Sequence, residues 1–213
     1  LGIDNIIKLT LLSKEEFEES INFKLNKNNI LITFHPASLE KATAQRQFNE
    51  LLLALDEQKN TALIFTKANS DTDGRVINQM IDEYVSKNKD KAVGFTSLGQ
   101  LRYLSALQYM DMVVGNSSSG LAEVPTFKKA TINIGDRQKG RIKARSVIDC
   151  LPIKKEILNA FNLALSKEFK CVLQAVENPY GDGGASSKIK SIIQNINLTG
   201  MVKKSFYDLQ VKK

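Results

Sequence analysis

Short apolar runs alternate with stretches of helical period along most of the chain. Residues 29–34 (NILITF), 62–66 (ALIFT), 92–95 (AVGF), 111–114 (DMVV), 130–134 (ATINI) and 146–149 (SVID) are continuous β-rich runs. Runs of that kind suit strands covered on both faces of a parallel sheet. Between them the period lengthens. Residues 45–58 carry Phe48, Leu51, Leu52 and Leu55 on one stripe, and residues 75–87 carry Val76, Ile77, Met80, Ile81 and Tyr84. Residues 101–110 carry Leu101, Leu104, Ala106 and Leu107 in the same way. Ser13 with Glu16 has the spacing of a capping box, opening a helix that runs to about Leu25. After Cys150 helices dominate, over residues 154–169 and 187–196, with a tail from Val202 that also suits a helix. Residues 178–185 (NPYGDGGA) are the strongest turn cluster and divide the sheet-forming part from terminal helices. Repeated β-α units of this order predict an α/β fold, a doubly wound, open parallel sheet.

In such sheets ligands bind beyond the carboxyl ends of the strands, so the residues following each run are the first place to look for chemistry. They are His35-Pro36, then Lys67, Asn69 and Asp71, then Ser97, then GNSSSG (115–120), then GDRQKGR (135–141). The fold brings all of these to one edge. In GNSSSG, the glycines allow close backbone approach to a ligand. Asn116, Ser117 and Ser118 stand at the start of a short helix, which Pro125 ends or kinks, where free amides favour a phosphate. The same residues also suit a plain serine cap in a tight turn. No lysine follows the last glycine, so this is not the nucleotide-triphosphatase loop.

Glu123, about one turn further on, suits the hydroxyls of a ribose, or equally an acid that complements the helix dipole. Arg137 and Arg141 have the planar guanidinium that grips a pyrophosphate in two places, with a solvated basic loop as the alternative. His35, the single histidine, is either a structural imidazole or a group that bonds phosphate or sugar and moves protons. Asn69 and Asp71 are ligand contacts or turn formers around Gly74.

Composition narrows the partners. The chain has 213 residues, 42% of them hydrophobic, enough for one good core. No apolar run approaches the roughly 20 residues of a membrane span, and residues 1–10 do not read as a signal peptide, which points to the cytoplasm and to no membrane partner. The net charge of +7 comes largely from dispersed lysines, and without tryptophan or zinc-finger spacing it does not mark a nucleic-acid binder. Cys150 and Cys171 form no Cys-x-x-Cys pair and are expected to be buried, inert thiols. One histidine and scattered acids argue against a metal site.

The segments TFHPAS around His35, KANSDTDG around Asn69, GNSSSGLAEVPTF around Ser118, NIGDRQKGR around Arg137 and NPYGDGGAS resemble the hydrolysing UDP-N-acetylglucosamine 2-epimerases of sialic-acid-type pathways, in the family's order and over nearly the whole chain. The resemblance implies a GT-B-type fold in which two Rossmann-like halves hold the substrate between them. Residues 1–201 would be the UDP-binding, C-terminal half and residues 202–213 a tail. The opening LGIDNI resembles the junction where the second domain begins, so the catalytic first half, with the acids that move the C2 proton, is expected to lie in a preceding domain in cis. By similarity Ser117 and Ser118 would contact the diphosphate and Glu123 the ribose. Arg137, His35 and Asn69 would complete the site, with His35 as the one candidate for catalysis here. Asp71, Ser97, Asn116 and Arg141 are possible additions. The implied partners are UDP and a UDP-N-acetylhexosamine, with self-association of the intact protein and no metal or redox cofactor. The chain alone is expected to be inactive. One departure is Ala68, where the family often has proline. A glycosyltransferase donor domain shares this fold and is the main alternative, followed by a non-catalytic nucleic-acid-binding module.

Overall fold

The computed structural model of the chain describes residues 2–36, 43–69, 72–197 and 199–200. Among these, six parallel strands form one sheet: β1 (Asn28–Thr33), β2 (Thr61–Thr66), β3 (Ala92–Phe95), β4 (Met112–Gly115), β5 (Ala130–Ile134) and β6 (Val147–Cys150). Their order is β3-β2-β1-β4-β5-β6, the doubly wound arrangement expected. The winding reverses between β1 and β4, which opens a crevice at their carboxyl ends. β1 pairs with β2 from Asn28↔Thr61 to Thr33↔Thr66 and with β4 from Ile30↔Met112 to Thr33↔Gly115.

The apolar runs are continuous because both faces are covered. Ile30, Ile32 and Phe34 point into a layer with α3 (Ala44–Asp56), α4 (Thr72–Lys87) and α7 (Lys154–Leu165), against Phe48, Leu51, Ile77, Ile81 and Phe161. Leu31 points the other way, with Ile64 and Val113. It meets Phe17 and Ile21 of α2 (Lys14–Ile21) and Leu104, Leu107 and Met110 in and just after α5 (Gly99–Tyr109). Each fully buried Phe or Leu in these layers contributes about 1.5–3 kcal/mol. Val76 and Leu101, placed on the apolar stripes by their spacing, instead lie at the solvent edge of their helices.

Local chemistry moved several boundaries. The helix opened by Ser13 has both arms of its capping box, at 2.8 and 3.2 Å, but stops at Ile21 because Asn22 adopts a left-handed cap. The single helix expected over 154–169 is two, α7 and α8 (Lys167–Gln174). Ser166 ends the first and caps the second, its Oγ accepting from the Phe169 N–H at 3.1 Å. A seven-residue helix, α1 (Gly2–Lys8), was not foreseen, since so short a piece shows too little period. The turn cluster does more than divide the chain: Asn178 Nδ2 donates to the Ala122 carbonyl and to Thr126 Oγ1, both at 2.8 Å. A single described helix, α9 (Ala185–Asn195), follows it, and residues 201–213 lie outside the described part. Of the cysteines, Cys150 is half-buried, and burial followed by Asp149 pushes its thiol up to about 12. Cys171 is exposed, contrary to expectation, because α8 turns Phe169 and Leu173 inward and leaves it outside.

α1 and α9 meet through Asp4. One carboxylate oxygen accepts from the Ser186 N–H at 2.7 Å and from the Ser186 hydroxyl, so Asp4 caps α9 from the far end of the chain. Those two bonds, the hydroxyl first, hold the Asp4 carboxyl down at about 2. A depressed carboxyl stabilises the fold above its unfolded value, and that contribution is lost as pH falls from about 4 toward 2. Amide exchange in α9 should therefore rise over this window, and Asp4→Asn should raise it at neutral pH and abolish the pH step. An unchanged step in Asp4→Asn would assign it to another group.

Two glycines offer a second test. Gly115 has φ +135°, and a Cβ there would stand 1.9 Å from the Thr33 carbonyl oxygen. Gly140 has φ +80° with nothing within 4 Å of the same position. Gly115→Ala should cost about 3–5 kcal/mol and Gly140→Ala about 1 kcal/mol in urea unfolding. Equal costs would mean that strain alone, not the approach to β1, makes Gly115 necessary.

Candidate functional site

The crevice is built on a side-chain amide. Asn116, buried directly after β4, accepts from the His35 N–H through Oδ1 at 2.8 Å and donates from Nδ2 to the His35 carbonyl at 2.7 Å. Its own N–H bonds the Thr33 carbonyl at 3.1 Å. The pair continues the β1–β4 ladder for one step after the strands end. The Asn116 carbonyl then receives Arg137 Nη1 at 3.0 Å and Gln138 Nε2 at 2.7 Å. Three strand exits, those of β1, β4 and β5, thus converge on one residue. Asn78 of α4 repeats the device at the exit of β2, accepting from the Ala68 N–H at 2.7 Å and donating to its carbonyl at 3.1 Å. That use explains the departure at Ala68, since a proline there has no N–H to give.

The glycines of GNSSSG serve the scaffold. Gly115 backs onto the Thr33 carbonyl, and a Cβ on Gly120 would lie 2.6 Å from the Thr131 methyl. Gly120 begins the packing of α6 (Ser119–Ala122) on β5, where Thr131 Oγ1 donates to the Gly120 carbonyl at 2.8 Å. Each glycine is needed for the scaffold because another part of the chain occupies the space its Cβ would take.

Beside this knot lies a cleft of about 430 Å³, walled by Ser97, Tyr103, Ser117, Ser119 and Glu123, with Thr33, Thr66 and Lys67 toward the sheet. The Thr33 and Thr66 hydroxyls bond each other at 2.5 Å. Lys67 is paired with Asp82 at 2.7 Å. Glu123, which follows α6 and leads into a short 3₁₀ turn (Val124–Phe127), takes a hydrogen bond on Oε2 from the Ser119 hydroxyl at 2.5 Å. Ser119 in turn bonds the Tyr103 hydroxyl. Burial raises the Tyr103 phenol well above its ordinary value, so it stays protonated. A second recess of about 370 Å³ between the β5 and β6 exits is lined by acids and bases, and there Lys143 pairs with both Asp149 oxygens at 2.7 and 2.8 Å.

The expected site residues therefore divide. Ser97, Ser117 and Glu123 face the cleft. His35, half-buried, Asn116 and Arg137 form the adjoining knot. Ser118 is exposed at the N-cap of α6 without a side-chain capping bond, and the plain serine cap is met instead by Ser117, whose Oγ accepts from the Ser119 N–H at 3.4 Å. Asn69 and Arg141 are exposed and do not line the cleft, and Asp71 lies outside the described residues. Ser97 Oγ also accepts from the Gly99 N–H at 3.0 Å, shaping the turn into α5. Tyr103 went unsuspected, and Ser119 was expected on the rim only as part of GNSSSG, with no role of its own. The period of α5 leaves Tyr103 off the apolar stripe, and a hydroxyl-carboxylate pair four residues apart in a short helix was the signal available. Among the described residues no three His, Cys, Asp or Glu side chains gather as metal ligands, and no helix is long and apolar enough to cross a membrane.

Comparison with known proteins supplies the context. The family model for UDP-N-acetylglucosamine 2-epimerase matches residues 1–194. The chain is similar to the GDP/UDP-N,N'-diacetylbacillosamine 2-epimerase (hydrolyzing) of Campylobacter jejuni, 43% identical over 206 residues, covering 96% of this chain and 53% of that one. It is also similar to polysialic acid biosynthesis protein P7 of Escherichia coli, 36% identical over 211 residues, covering 98% and 53%. The chain thus spans about half the length of the curated relatives it matches. In fold it resembles the S. aureus MnaA-UDP co-structure, with a TM-score of 0.68 at 18% identity, covering 91% of this chain and 52% of that one. The doubly wound sheet is accordingly that of one Rossmann-like half of a GT-B-type chain. With its fold, its motifs and nearly its whole length in agreement, the chain belongs to the UDP-N-acetylglucosamine 2-epimerase family.

Proposed function

We propose that this chain is the UDP-binding half of a hydrolysing 2-epimerase that turns a UDP-N-acetylhexosamine and water into UDP and the free 2-epimeric sugar, N-acetylmannosamine in the simplest case. The observation that carries the proposal is the meeting of Ser117 and Glu123 on one cleft at the strand-order reversal, with Ser118 beside them and Arg137 anchored to the adjoining knot. In this reading the nucleoside occupies the cleft and Glu123 accepts from its ribose. The hydroxyls of Ser117 and Ser118 donate to the diphosphate. Arg137, held to the Asn116 carbonyl through Nη1, brings its positive charge to the same diphosphate, and His35 donates to phosphate or sugar. Asn69 stands at the rim.

The reaction removes the C2 proton and expels UDP with the electrons of the C1–O bond, leaving a glycal. Water then adds across the double bond and the sugar departs. Stabilising the diphosphate as it leaves is the part assigned to this half, since fixed donors aimed at growing negative charge lower the barrier. The acids that move the C2 proton are assigned to the family's other half, and self-association and a cytoplasmic setting complete the proposal. A diacetamido hexosamine is a second substrate reading, favoured by the 43%-identical Campylobacter jejuni relative, which is named for such a sugar.

The test is to incubate the intact polypeptide carrying this chain with UDP-N-acetylglucosamine and no acceptor, following products by NMR. UDP with free N-acetylmannosamine supports the proposal. UDP-N-acetylmannosamine would mean a non-hydrolysing relative, and turnover only when an acceptor is added would mean a transferase. Turnover of the diacetamido substrate alone would select the second reading. The chain by itself should bind UDP without turnover, and measurable turnover would overturn the division of labour. Glu123→Gln should weaken UDP about tenfold, as read by calorimetry, and an unchanged affinity would remove Glu123 from the site.

A further inference from the structure

Glu123 is not a free acid at the wall of the cleft. A carboxylate only accepts, so the Ser119 hydroxyl must give its one proton to Oε2, at 2.5 Å. Its lone pairs are then open to the Tyr103 phenol, which must be the donor in their short contact. The direction of both bonds follows from the charge at the end of the line. Ser119 and Glu123 stand one helical turn apart, and the Glu123 N–H bonds the Ser119 carbonyl at 2.9 Å, so α6 itself keeps the pair together. Tyr103 comes from a different element, α5, whose packing against β1 and β4 through Leu104 and Leu107 sets its place. Among the described residues nothing donates to Oε1. On that side Gly2 of α1 comes close, a Cβ there standing 3.7 Å from Oε1.

From this geometry we infer that Tyr103 and Ser119 are positioning residues: a two-hydroxyl relay that locks the Glu123 carboxylate, occupies one of its oxygens and presents the other to a ribose diol, thereby setting the preference of the site for ribonucleotides over deoxyribonucleotides. The inference rests on the nucleotide reading of the cleft given above. Its physical basis is pre-organisation. A glutamate left to itself has several rotamers, and ordering it on binding subtracts from affinity. The relay orders it beforehand, against a phenol that burial keeps protonated. A ligand that lacks the matching hydroxyl leaves Oε1 without a donor, which is how a site built to hydrogen-bond one group rejects the analogue without it. The relay also divides the three serines. Ser119 has spent its proton on Glu123 and has none for a phosphate, whereas Ser117 accepts from the Ser119 N–H at 3.4 Å and keeps its own proton for a ligand.

The experiment titrates UDP, 2′-deoxy-UDP and 3′-deoxy-UDP into the polypeptide carrying this chain and into Tyr103→Phe, Ser119→Ala and Ser119→Thr, with thermal unfolding run beside each. The unsubstituted protein should bind UDP more tightly than at least one deoxynucleotide by about tenfold. In Tyr103→Phe, which keeps the ring, and in Ser119→Ala, UDP should weaken by about three- to tenfold while that deoxynucleotide is unchanged, so that the preference collapses. The double variant should be no worse than either single one, because both break the same line. Ser119→Thr, which keeps the hydroxyl, should retain the preference. Equal weakening of UDP and the deoxynucleotide would show that these side chains merely pack, and an unaltered preference in both single variants would overturn the relay. Failure of the unsubstituted protein to bind UDP at all would overturn the nucleotide reading, and the relay with it.

Discussion

The carboxamide of Asn116 copies a peptide group. It accepts and donates to His35 as a neighbouring strand would, and so carries the ladder between β1 and β4 one step past the point where the strands part. A reversal of winding leaves the two central strands diverging at their carboxyl ends, with backbone groups that need partners. Asn116 satisfies His35, and its carbonyl gathers the side chains of Arg137 and Gln138 from the loop after β5. His35 and Arg137 are thus tied to one buried residue rather than to two independent loops, His35 through the side-chain amide of Asn116 and Arg137 through its main-chain carbonyl. Gly115 is the condition for this, since only a residue without Cβ lets β4 pass the Thr33 carbonyl at that φ.

Scaffold contacts and the contacts proposed for a ligand are interleaved residue by residue in GNSSSG. The outer glycines and Asn116 hold β1, β4 and β5 together, Ser119 holds Glu123, and Ser117 and Ser118 are left with hydroxyls to offer. A short segment can carry so much because each residue has a different task. It also explains how a crevice is made from loops: an asparagine that both accepts and donates ties the exits of β1 and β2, and Arg137 and Gln138 tie the β5 exit by donating to the Asn116 carbonyl.

The sheet was legible because burial on both faces writes itself as unbroken apolar runs, and all six runs became strands within a residue of their expected limits. Helix ends were less legible. Ser166 could equally have sat inside a helix, and only its extended backbone turns it into a shared cap. The rim was legible through strand order, which brought Ser97, Ser117 and Glu123 to one cleft. What could not be read was which of the polar rim residues hold the protein and which face outward. That depends on distances across the sheet, such as those from Asn116 to His35 and from Tyr103 to Ser119, and linear spacing contains no such information.

The Asn116 clamp carries a chemical liability. Asparagine is among the thermolabile side chains, and hydrolysis of this amide would replace the Nδ2 donor by a carboxylate oxygen. That oxygen would face the His35 carbonyl across the 2.7 Å now spanned by a hydrogen bond, acceptor against acceptor. The apolar layers on either side of the sheet would be untouched, while the crevice between β1 and β4 would be forced open. Slow ageing of the protein would then disturb the edge where β1 and β4 end long before its core, leaving molecules that are folded and of nearly unchanged mass but altered at the crevice.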